Sequence, residues 1–170
     1  MNRYIENRES DQLAKHMKDR SAGSTFEELQ VYQIVREFRK AMYRVSRQLP
    51  EIEKFGLASQ IRRAALSLTN NIAEGHGRYH YLDQIKITLQ SRGSLEELID
   101  DLNTCEDEGY LPVTEITGLK DQGWRVRQLI DGYIRYLREQ KNSEASSSSR
   151  ETLPLYGDVA DMKDDLRFSM

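Results

Sequence analysis

Arg36, Lys40, Arg44 and Arg47 step along the chain by four, four and three residues. On a helix that spacing puts all four on one face, with Arg39 beside them. A row of guanidinium groups can lie along a polyanion, because the planar fork donates to phosphate oxygens in a fixed geometry and also stacks on bases. From Arg36 to Arg92 the chain carries eleven basic residues against five acidic ones, and eight of the eleven are arginine, so this stretch is strongly cationic. The sign then reverses. From Gly93 to Glu108 stand Glu96, Glu97, Asp100, Asp101, Glu106, Asp107 and Glu108, with no basic residue among them. That run offers the plain alternative for the stripe: a solvated helix face whose cations pair with acids of the same copy or of a neighbouring one.

Other constellations are weaker. His76, His80 and Asp83 carry metal-ligating groups at close spacing, but Gly77 interrupts the helix that would align them, and nothing identifies the partners a metal site needs around its ligands. No metal or cofactor is expected. Asn71, Glu74, Gly75 and Arg92 are expected to form a structural lock at the polar end of a helix, with Glu74 as a buried carboxylate paired to Arg78 or Arg92. Tyr79 and Tyr81, beside Arg78, have the chemistry to stack on exposed bases. No phosphate-binding glycine loop, nucleophile elbow or dinucleotide fingerprint occurs, so no catalytic residue is assigned and the protein is expected not to be an enzyme.

The whole chain has 170 residues, 31% of them charged and 38% hydrophobic, with a mean hydropathy of −0.74. No stretch approaches the roughly 20 apolar residues that span a bilayer, and the first twenty residues are charged throughout, so a membrane partner is excluded and a cytoplasmic location expected. The lone Cys105 rules out an internal disulfide. The overall charge of −3 conceals the cationic stretch described above.

The elements that must position these residues are helical. Val31, Val35, Phe38, Met42, Val45 and Leu49 recur at spacings of four and three, defining a first helix of roughly 36 Å from about residue 26 to Pro50. Its start is expected at Ser24 or Thr25, each followed three residues later by a glutamate in a capping-box pattern. A second helix carries Leu57, Ile61, Ala64, Ala65, Leu68 and Ile72 inward and ends at the glycines Gly75 and Gly77. A third runs from about Tyr79 to Glu108 with Leu82, Ile85, Leu89, Leu95, Leu98, Ile99, Leu102 and Cys105 inward, capped by Gly109. The fourth follows Pro112 and presents Ile116, Leu119, Val126, Leu129, Ile130, Tyr133, Ile134 and Leu137, although Gly118, Gly123 and Gly132 weaken it. Short connections predict an all-α, antiparallel up-down-up-down four-helix bundle over residues 25–140. Residues 1–24 form a charged, flexible extension; 141–170 form a serine-rich linker and acidic tail, expected to be disordered. Within the tail Val159, Met162 and Leu166 have the spacing of a short amphipathic helix. Ile34 and Ile87 lie outside the main seam, where further interfaces would form.

The runs FEELQVYQIVREFRKAMYRV, EKFGLASQIRRAALSLTNNIAEGHGR, and LQSRGSLEELIDDL followed by EGY together resemble the four-helix-bundle family of proteins encoded in bacterial large-subunit ribosomal RNA intervening sequences. The resemblance covers about residues 25–138. It implies a homopentameric barrel and a relation to the accessory variability protein of diversity-generating retroelements, which binds a reverse transcriptase and nucleic acid. On that basis the partners expected are further copies of the chain and RNA or DNA. The expected function is a non-enzymatic, RNA-binding oligomeric scaffold, whose basic face is carried by Arg36, Arg39, Lys40, Arg44, Arg47, Arg62, Arg63 and Arg78. The alternative is an accessory subunit that docks a reverse transcriptase or its template RNA.

Overall fold

A computed structural model describes residues 25–151, which form four α-helices and two short 3-10 turns, with no strand among them. The helices are α1 (Gln30–Gln48), α2 (Leu57–His76), α3 (Tyr81–Asp107) and α4 (Val113–Glu151). The extension before residue 25, and the tail with its Val159, Met162 and Leu166 pattern, lie outside the described residues.

The inward positions of α1 read from the sequence are the ones buried: Val31, Val35, Phe38, Met42 and Val45, with Leu49 half-buried. They join Ile61, Leu68 and Ile72 of α2, Leu95, Leu98 and Leu102 of α3, and Ile116, Ile130 and Leu137 of α4 in one continuous core. Burying a large aliphatic side chain contributes roughly 1.5–3 kcal/mol, so this shared core holds the four helices together. Contacts between α2 and α3, and between α3 and α4, run in opposite numerical order. Ser91 Oγ donates to the Leu68 carbonyl (2.6 Å), and Gln60 Nε2 to Asp101 Oδ1 (3.0 Å). Between α3 and α4, Arg92 pairs with Asp131, and Glu106 with Lys120.

Several expectations need correction. No capping box forms at Thr25: a 3-10 turn, Phe26–Glu28, comes first, and α1 begins only after Leu29, without a side-chain cap. Leu82 does not face inward; it is 59% exposed, because Tyr81, Ile85 and Thr88 set the inward phase at the start of α3 and residue 82 falls outside it. Ile87 is buried in its own chain against Gly75, not left for another interface, whereas Ile34 is exposed. The serine-rich stretch from 141 is not a break in structure, since α4 continues through it to Glu151. Ser143 and Ser146 there return their hydroxyls to the carbonyls of Glu139 and Asn142, four residues back, which keeps these side chains compatible with a solvated helix.

Loop chemistry fixes both turns at one end of the bundle. α3 stops at Gly109, whose φ of +65° is open to glycine, and Tyr110 N–H returns to the Cys105 carbonyl while Gly109 N–H returns to that of Glu106. The Tyr110 hydroxyl then donates to Glu53 Oε1 (3.0 Å), and Glu53 Oε2 accepts from Leu57 N–H (2.9 Å) at the start of α2. One carboxylate thus caps α2 and ties the α1–α2 connection to the α3–α4 connection.

Two glycines should respond oppositely to substitution. A side chain at Gly75 would meet the Gln84 backbone carbonyl and the Thr88 hydroxyl at 3.2 Å, where α2 and α3 pinch together, whereas one at Gly118 meets open space. Gly75→Leu is expected to cost about 2 kcal/mol or more through overpacking. Gly118→Ala should stabilise by about 1 kcal/mol through helix propensity. Urea unfolding of both variants checks the pair; equal effects would contradict the packing described.

Candidate nucleic-acid interface

The buried positions of α1 leave Arg36, Lys40, Arg44 and Arg47 on its outer side, all exposed. Arg39 is half-buried, because its Nη1 donates to Thr69 Oγ1 of α2 (3.2 Å). That bond aims the base of the stripe across the α1–α2 seam. There an open groove of about 530 Å³ is lined by Arg39, Lys40, Tyr43, Arg44, Arg47 and Leu66.

The groove is electropositive. Lys40 has one acidic neighbour, Glu37 (2.6 Å), and Arg36, Arg44, Arg47 and Arg63 form no salt bridge among the described residues. The hydrogen bond from Lys40, then the charges of Lys40, Arg36 and Arg44, hold the Glu37 carboxyl below its usual range. The acidic run of α3 does not neutralise this face. Its cations come from α4, where Arg127 bridges Glu96 and Asp131, and Lys120 reaches Glu106. Exposed cations cost little to keep in water and gain most when an anion displaces their counterions.

Of the eight basic positions singled out in the sequence, the groove collects Arg39, Lys40, Arg44 and Arg47. The others lie around it. Arg36 is on α1 beyond its upper end; Arg62, one helical turn before Leu66, donates to the Lys54 carbonyl (3.1 Å); Arg63 is exposed on α2; Arg78 pairs with Glu74. Tyr43 and Leu66 are lining residues that a search for cations passes over. Leu66 signals itself only as an exposed apolar residue on an otherwise well-patterned helix.

The expected lock is not assembled as a unit. Glu74 is half-exposed and bonds Arg78 one turn on, while Arg92 turns to Asp131 of α4 (3.2 Å). Asn71 donates to Ser67 Oγ within α2 (3.1 Å). Of the four, Gly75 alone joins α2 to α3, through the close approach of that helix. Burial was the premise of the lock, and residue 74 falls on the outward side of the last turn of α2.

His76 closes α2 and His80 precedes α3, so the two imidazoles do not share a helix. No group of three or more potential metal ligands comes together among the described residues. Burial raises the Cys105 thiol to about 11, with further contributions from Asp101 and Glu53, which keeps it protonated and poorly nucleophilic. Among the described residues Asp101 is the one buried carboxylate with an unpartnered oxygen: it is 3% exposed, and its Oδ2 has no hydrogen-bond partner. No helix among the described residues is long and apolar enough to cross a membrane.

Fold and surface together define a small all-helical protein with a cationic groove along its first two helices. The chain belongs to the 23S rRNA-intervening sequence protein family, whose profile matches residues 27–132. That match spans α1, α2, α3 and the first half of α4, and so includes the whole groove. No curated protein matches the chain.

Proposed function

We propose that the protein is a non-enzymatic, RNA-binding scaffold that holds phosphates in the α1–α2 groove. The single observation that carries this reading is the groove itself: four cations gathered on one side, three of them arginines, with one salt-bridged acid among them. The family's association with ribosomal RNA intervening sequences favours RNA as the polyanion. The opposite numerical order of contacts between α2 and α3, and between α3 and α4, supports an antiparallel up-down-up-down bundle.

In the proposed assembly five bundles close into a homopentameric ring, located in the cytoplasm, that multiplies the positive field of one groove although each subunit is slightly acidic overall. Affinity then depends steeply on salt and weakly on sequence, because phosphates rather than base edges are engaged.

Light scattering coupled to size exclusion on nuclease-treated protein, with and without added cellular RNA, tests assembly and partner together. The expected result is a pentamer that carries RNA at low salt and releases it at high salt. A pentamer indifferent to RNA would transfer the groove to a protein partner such as a reverse transcriptase, and a monomer would remove the ring.

A further inference from the structure

Two aromatic side chains stand almost free in solvent, one beyond each end of α2, the helix that supplies the second wall of the cationic groove. Phe55, in the α1–α2 connection, is 87% exposed, and Tyr79, in the α2–α3 turn, is 92% exposed. Among the described residues neither ring packs into the core.

Each connection is tied to α2 through an arginine. Arg62 and Leu66, one turn apart, lie on the flank of α2 that meets α1, and Leu66 lines the groove; each further step of four turns about 40° round the helix, so Glu74 and Arg78 have moved round to its outer side. At the lower end Arg62 holds the carbonyl of Lys54, the residue before Phe55, and the Lys54 ammonium lies 5.7 Å from the Phe55 ring centroid. Ile52, in the 3-10 turn Glu51–Glu53 and three residues before Phe55, is also exposed and widens the apolar surface. At the upper end Arg78 is held by Glu74, and the Tyr79 ring meets the His80 ring edge-on, centroids 5.0 Å apart. The 20 residues of α2 separate the two aromatics by about 30 Å.

A cationic groove along α2, with an exposed aromatic ring beyond each end of that helix, suits a single-stranded nucleic acid. Phosphates follow the arginines, and bases at either end lie on a ring face. A duplex cannot use the rings, because its bases are stacked on one another and its grooves expose only their edges. Resting on the proposed RNA-binding reading, we infer that the ligand is an unpaired RNA segment and that Phe55 and Tyr79 are its base-stacking platforms.

Fluorescence anisotropy with an unstructured RNA strand of about 15 nucleotides, and a blunt RNA duplex of the same length, tests this on the full chain. Wild type is expected to prefer the strand, and Phe55→Ala and Tyr79→Ala each to weaken strand binding about tenfold while leaving duplex binding unchanged. Phe55→Tyr and Tyr79→Phe should retain the preference, since each keeps a ring. Equal binding of strand and duplex by wild type, or a preference that survives the double alanine variant, overturns the stacking inference and leaves the groove intact. Failure of wild type to bind either probe removes both readings.

Discussion

Asp101→Asn is expected to change how the stability of the bundle depends on pH. The carboxylate sits between α2 and α3 with Oδ1 accepting from Gln60 and Oδ2 unpartnered. Burial, followed by the charges of Asp100 and Glu97, raises it from an ordinary 3.8 to about 6, against the opposing hydrogen bond from Gln60. The folded state therefore holds this proton to higher pH than the unfolded chain does. Stability from this group is greatest below pH 4, declines as pH rises towards 6, and stays at its minimum above that. The full difference is about 3 kcal/mol, a large share of a small domain's stability. The asparagine variant keeps a side-chain oxygen for Gln60 but has no charge to bury. Relative to wild type it should gain about 2–3 kcal/mol between pH 4 and pH 8, whatever constant offset the amide introduces. Urea unfolding at fixed protein concentration across that range measures the difference. Parallel profiles for the two proteins would show that the carboxylate is already solvated.

Asp101 also illustrates how far helical periodicity carries. Ser94, Leu98, Asp101 and Cys105 recur at spacings of four, three and four, which marks residue 101 as inward, yet its charge groups it with a solvated acidic run. The backbone places it in the seam, and the run's other acids take the surface. The α1 face and the cores of α2 and α4 follow directly from periodicity, since a single phase error would expose several large apolar residues at once. Helix ends do not follow in the same way. The start of α1 slips past Thr25, α3 begins with an exposed Leu82, and α4 runs on through serines, because terminal turns carry few packing contacts and respond to local hydrogen bonds.

The groove was only half visible for a related reason. Spacing aligns Arg36, Lys40, Arg44 and Arg47 on one helix, but a groove needs a second wall, and α2 supplies it with Leu66 and, through Thr69, with the bond that orients Arg39. Gly123 presents a similar case. It weakens the helix propensity of α4 and reads as a flaw, yet Phe38 and Ile99 pack into the space that its missing side chain leaves. Contacts between elements distant in sequence decide such positions. For the same reason Phe55 looks like an ordinary loop aromatic until its exposure is known, whereas Tyr79 stands out in the sequence by its place beside Arg78.

Reversing two charges in the groove is expected to abolish most nucleic-acid affinity without unfolding the bundle. Arg44 and Arg47 are exposed, line the groove and form no salt bridge among the described residues, so Arg44→Glu with Arg47→Glu disrupts no internal pair. Each arginine that neutralises a phosphate releases condensed counterions, and losing it lowers the salt dependence by about one in the slope of log K against log salt. Two reversals should flatten that slope by about two or more and weaken binding about 100-fold at low salt, uniformly across RNA sequences. Position rather than net charge is the point at issue. Arg92→Gln also removes a cation, but Arg92 is engaged with Asp131, which keeps Arg127 as a partner, and it lies outside the groove lining; that variant should bind almost normally. Titrations at several salt concentrations, with helicity checked by circular dichroism, separate the cases. Losses in proportion to the charge removed, two Arg→Glu reversals against a single neutralisation at Arg92, would mean that overall charge governs binding, and an intact affinity in the double reversal would take the groove out of RNA recognition.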